Sequence, residues 1–202
     1  MINLDIKHSL ESEISRVQNT IDRIDWFKEK RYKIRLPETL SLEDADFSYE
    51  KIKQAIEHEY DKENYGKEEK YILDTLPKIK KVLGDYFTSS SLEPQSVYEI
   101  NLTRYGVGGS YSIPNKIIVN IQVRKEMNLV QTIVHEIIHL SIEELIQKYN
   151  IDHWNKERLV DLLLERVGPE INTMQNISVD TSSVDEAFEK EYPNIEGIIQ
   201  NI

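Results

Sequence analysis

The sequence predicts an α+β protein, mainly helical, with a small β-sheet packed beside one long apolar helix. Two observations carry this. Apolar residues recur at gaps of three and four through most of the chain, but between 97 and 123 the period drops to two. Directly afterwards MNLVQTIVHEIIHLSIEELIQKY (127–149) returns to the helical period with a high apolar density. The chain divides accordingly into a helical N-terminal region (1–94), a core (95–169) and a C-terminal tail with one short helix (170–202).

The elements follow in order. From Leu4 to Phe27 the apolar positions Ile6, Leu10, Ile14, Val17, Ile21, Ile24 and Phe27 predict one long amphipathic helix. Its stripe is expected to pack on its own domain, with a partner helix as the alternative occupant. KEKRYKIR (28–35) reads as a helix end and a solvated basic loop, and RLPETLSLEDADFS (35–48) as a loop. Ser48 is a candidate cap for a helix carrying Ile52, Ala55, Ile56 and Tyr60. A third helical pattern runs through Tyr71, Ile72, Leu76, Ile79, Leu83 and Phe87, with a break or kink expected near Leu76 unless Pro77 starts a new helix. After the linker TSSSLEPQS come two strands, VYEINLT (97–103) and NKIIVNIQV (115–123), rich in β-branched residues. The glycines between them, Gly108 and Gly109 with Ser110 and Tyr111, suit an exposed edge that another backbone approaches closely, or a plain hairpin connection. Asn128 is the expected cap of the apolar helix. A further helix is expected over 155–168, capped by Asn155 and stopped by Gly168-Pro169, and a short surface helix over VDEAFEKEY.

Composition narrows the function. The formal net charge of −11 argues against nucleic acid or an anionic membrane as partner. The chain has no cysteine, which excludes disulfides and thiolate metal sites. It shows no signal-peptide pattern and no apolar run approaching the ~18 residues of a membrane span, so a cytoplasmic location is expected.

The chemistry sits in VHEIIHL. On a helix His135 and His139 project from one face a turn apart and can offer two imidazole nitrogens to one zinc ion. Glu136, beside them, is placed to act as a general base rather than as a ligand. The surrounding Ile133, Val134, Ile137, Ile138 and Leu140 imply a buried helix, where unpartnered polar groups are costly. A hydrolytic zinc site needs a third protein ligand and an open position. Glu157 offers one from the next helix, with His153 as the rival. Asp161, one turn beyond Glu157, could orient a ligand histidine through its free ring N–H.

HEIIH followed by Glu157 and Asp161 resembles the gluzincin metallopeptidases, the thermolysin-like and aminopeptidase-like branch of the zincins. The resemblance spans residues 97 to about 167. It implies a zincin-like fold, a single Zn2+ held by His135, His139 and Glu157, Glu136 as general base and Asp161 as the orienting carboxylate. It also implies that Gly108, Gly109, Ser110 and Tyr111 form a substrate-binding edge. Such peptidases use a downstream histidine or tyrosine on the oxyanion; here His153, Tyr149, Tyr111 and Tyr105 are the candidates. The expected function is that of a hydrolase, a zinc metallopeptidase acting on peptide or protein substrates. The alternative is a zincin-like interaction module with a structural metal or lapsed catalysis, working through its N-terminal helix.

Overall fold

A computed structural model describes residues 2–41 and 47–202. The architecture is α+β, 58% helical, with one four-stranded sheet. The strands are β1 (Asn3–Lys7), β2 (Val97–Thr103), β3 (Gly109–Ser112) and β4 (Lys116–Asn120), in the order β1-β2-β4-β3. β1 and β4 pair with β2 in parallel, and β3 is antiparallel to β4. The register places Ile6, Ile100 and Ile117 side by side on one face.

The helices are α1 (Leu10–Asp22), α2 (Ile24–Glu29), α3 (Tyr49–Glu59), α4 (Gly66–Ser90), α5 (Met127–Tyr149), α6 (His153–Val167), α7 (Ser182–Glu191) and α8 (Ile195–Gln200). α4 to α8 and one face of the sheet share the main core, which includes Ile72, Leu83, Tyr98, Ile100, Ile133, Ile137, Leu159, Phe188 and Ile198. A second, smaller cluster joins α1 and α3 through Ile14, Val17, Ile52 and Ile56 against Tyr105. The apolar stripe of α1 is thus buried within the chain itself. Among the described residues no helix is long and apolar enough to cross a membrane.

Several expectations change. The long helix expected from Leu4 begins only at Leu10, because Ser9 and Ser12 close a reciprocal capping box, and residues 3–7 are strand β1. The apolar spacing of Leu4, Ile6 and Leu10 suits either state, and pairing with β2 decides for strand. The helix then breaks again at Arg23, between α1 and α2. α4 runs unbroken through Pro77: both Pro77 and Leu73, whose carbonyl loses its donor there, lie on the solvent face. Ser48 caps α3 as expected. Asn128 does not cap α5, which starts one residue earlier after Glu126 at positive φ. Asn155 does not cap α6 either, since the Asp152 carboxylate accepts from the N–H groups of Trp154 and Asn155. The tail holds two helices, whose Val184, Phe188, Ile195 and Ile198 are buried in the main core. Part of the 35–48 loop lies outside the described residues.

Candidate metal centre

α5 is held by its apolar residues. Ile133, Val134, Ile137 and Ile138 are fully buried, each contributing about 1.5–3 kcal/mol. That burial fixes the remaining face of the helix, with His135, Glu136 and His139, against α6 and the sheet edge. The Asp152 cap starts α6 so that Glu157 and Asp161 share the face turned toward α5.

Three side chains converge there. The Nε2 atoms of His135 and His139 are 2.9 Å apart. Glu157 Oε2 is 3.3 Å from His135 Nε2, and its Oε1 is 3.3 Å from His139 Nε2. Zinc bonds of ~2.0–2.1 Å in a tetrahedron separate neighbouring donor atoms by about 3.3–3.4 Å. Each Glu157 oxygen keeps about that distance from one of the two imidazoles, and one ligand atom of each residue lies within 4.8 Å of the others, close enough to share one ion.

The surrounding hydrogen bonds also fit a cation. Two imidazole nitrogens at 2.9 Å must share a proton or both face a positive centre. Among the described residues, His139 Nδ1 and Asp161 Oδ1 are buried without a hydrogen-bond partner. Asp161 Oδ1 lies 3.7 Å from His135 Nδ1, facing the ring nitrogen it would orient in a loaded site. Its other oxygen accepts from the Gln175 backbone N–H at 2.8 Å, and Gln175 Nε2 donates to Glu157 Oε2 at 2.8 Å.

Electrostatics separates the groups. Burial raises the Glu157 carboxyl, but the charges and hydrogen bonds of His139 and His135 outweigh it and hold the group well below the usual carboxylate range. Burial drives His139 down to about 4. Burial also lowers His135, yet Glu157 reverses the sign and leaves it raised. Burial lifts Glu136 to about 7 against the opposing pull of His135.

Glu136 lies under the sheet edge. A Cβ added at Gly109 would fall 2.4 Å from Glu136 Oε1 and 2.5 Å from Thr132 Cγ2, so only glycine permits this approach. β3 is an edge strand of the sheet, and Gly108, Gly109, Ser110 and Tyr111 line a cleft of about 590 Å³ together with His135, Glu136, His139 and Glu157.

The oxyanion candidates divide. Tyr111 stacks on His139 with ring centroids 5.3 Å apart, donates to Glu143 and accepts from Lys156 Nζ at 2.9 Å. His153 also lines the cleft, with Nε2 3.0 Å from the Tyr32 hydroxyl. It stands outside the three-residue cluster, its Nδ1 3.8 Å from Glu157 Oε1. Tyr105 and Tyr149 do not line the cleft, and their hydroxyls donate to Glu59 and Glu196.

Sequence reasoning missed part of the cleft lining. Trp26 and Phe27 of α2, with Tyr32 just after it, line the same cleft as His135, His139 and Glu157. Tyr32 lies inside the basic run read as a solvated loop, and burial pushes its hydroxyl pKa up. Arg16 was also missed: buried, it donates to Ser110 Oγ at 2.9 Å and to the carbonyls of Val107 and Tyr105, tying α1 to the sheet edge. A charged pair, Glu13 and Arg16, bracketing Ile14 in an apolar stripe was the available signal. Gln175 had none, as it reaches the site by a fold-back of the chain after Gly168. No protein-family model, curated protein or solved structure matches this chain.

Proposed function

We propose that this chain is a zinc-dependent metallopeptidase of zincin-like fold, with His135, His139 and Glu157 as the ligands of one ion. The observation that carries the reading is the position of Glu136: it follows a ligand histidine and lies directly beneath the backbone of an open edge strand. Bound zinc would polarise a substrate carbonyl and lower the pKa of a water toward ~7. The chain's own residues supply the rest. An extended peptide adds to the outer edge of β3, its backbone pairing with that of Gly109 to Tyr111. Glu136 takes a proton from the attacking water at its carboxylate and returns it to the leaving amine, the task of a general base set beside the ligand histidines. Tyr32 and His153, hydrogen-bonded to each other in the cleft, are the donors available to the developing oxyanion.

The rival reading, a structural metal in an interaction module, calls for a fourth protein ligand. Among the described residues His153 stands outside the three-residue cluster, which supports the open, three-ligand site instead. The test is Glu136→Gln, assayed on a general peptide library with zinc content measured in parallel. The variant should keep about one zinc per chain and lose roughly 10²- to 10⁴-fold in turnover. Cleavage at the wild-type rate would overturn the mechanism.

A further inference from the structure

We infer that the cleft selects peptides bearing a carboxylate close to the scissile bond, read by Arg23 and Arg124. This rests on the peptidase reading above and names its substrate class.

The chain is acidic, with 36 Asp and Glu against 25 Lys and Arg, yet the acids of the cleft are committed. Glu157 faces the histidines, Glu143 faces Tyr111 and Lys156, and Glu136 is buried under β3. Arg23 and Arg124 line the same cleft and are exposed. Among the described residues, neither has a carboxylate within 4.0 Å. Both are nevertheless positioned. The Arg23 guanidinium lies over Trp26 at 4.9 Å and Phe27 at 5.3 Å. The Arg124 guanidinium rests on the chain at Gly108, where an added Cβ would fall 2.6 Å from its Nε. A peptide laid along β3 with its reacting bond over Glu136 brings an adjoining residue to Arg124. The other end of β3 has no such unpaired charge, because Lys156 there is 3.7 Å from Glu143.

An Asp or Glu side chain and a peptide's C-terminal carboxylate offer the same chemistry. The experiment separates them with zinc-loaded full-length Glu136→Gln protein, which binds without turnover. Three series of alanine-based heptapeptides are titrated by intrinsic tryptophan fluorescence, to which Trp26 contributes. One series is blocked at both ends with a single Glu scanned through it, one carries Gln instead, and one is the Gln series with a free C-terminus. The best Glu peptide should bind roughly threefold to tenfold tighter than its Gln twin. That ratio should shrink as salt rises from about 0.05 M to about 0.5 M. Adding Arg124→Gln or Arg23→Gln should bring it toward one, and Arg124→Glu should invert it in favour of a Lys peptide. Preference confined to the free C-terminus would assign the carboxylate to the chain end. Equal binding of all series, no binding, or a ratio unmoved by the arginine changes overturns the inference. Wild-type protein on the same peptides keeps the two readings distinguishable. Cleavage without carboxylate preference sinks only the inference, whereas carboxylate-dependent binding without cleavage sinks the peptidase reading.

Discussion

Two clusters of buried ionisable groups lie on either side of the sheet edge, and they differ in how they complete their hydrogen bonds. Glu13 of α1 is fully buried and accepts from the Tyr65 hydroxyl, the Thr103 hydroxyl and, at 2.8 Å, the Arg104 backbone N–H. Arg16, one turn on, spends its donors on Tyr105, Val107 and Ser110. The cluster on α5 and α6 instead turns two ring nitrogens and a carboxylate toward one point and, among the described residues, leaves His139 Nδ1 and Asp161 Oδ1 unpartnered. Burying an ion costs several kcal/mol unless its partners are supplied. The first cluster supplies the partners of Glu13 and Arg16 from its own residues; the second has the form of a receptor for a cation.

That contrast can be broken experimentally. The largest effect is expected at the centre of the second cluster. His139→Ala should weaken zinc binding by more than about 100-fold, beyond what loss of an outer partner does, and should abolish the zinc-dependent rise in melting temperature. A retained thermal shift would remove His139 from the ligand set. Glu13→Ala should do the reverse. Three donors lose their acceptor, so stability should fall by about 3 kcal/mol in urea titrations, while zinc affinity changes less than about threefold. A large loss of zinc affinity there would mean that the clusters are coupled. Asp161→Asn should cost about 10- to 100-fold in zinc affinity, read by competition with a chelating dye. An unchanged affinity would leave Asp161 a purely structural acid.

The smallest effect is a slope with pH. Burial raises the Glu13 carboxyl above its unfolded value, so the folded state holds the proton more tightly. Stability from this group is fully present below the unfolded pKa of 4.5 and is lost as pH rises through the higher folded value. Glu13→Gln, which cannot ionise, should therefore compare better with wild type at pH 7 than at pH 4, as read from urea midpoints. A difference that does not change with pH would show that Glu13 titrates alike in both states.

The sequence disclosed what is local. His135 and His139 share a helix, Glu157 and Asp161 share the next, and the period of α5 and of β2 marks each element without reference to anything distant. What stayed hidden depends on contacts across the chain. β1 is a strand because β2, more than ninety residues later, pairs with it. Tyr32 reaches His153 over a separation of 121 residues, and Gln175 reaches Glu157 only because the segment after Gly168 turns back along α6. The cap of α6 was misread because Asp152 and Asn155 are both good capping residues, and the difference moves His153 from the loop onto the helix.

The tie between α1 and the sheet has a consequence for engineering. Glu13 and Arg16 attach this part of the chain to the sheet edge, whereas Arg23, Trp26 and Tyr32, which face the cleft, lie further along. Anchorage and the lining of the cleft thus occupy different stretches of the same N-terminal segment. A library randomised at Arg23, Trp26 and Tyr32 would vary what the cleft accepts while the attachment of its wall, two turns upstream of Arg23, stays as it is.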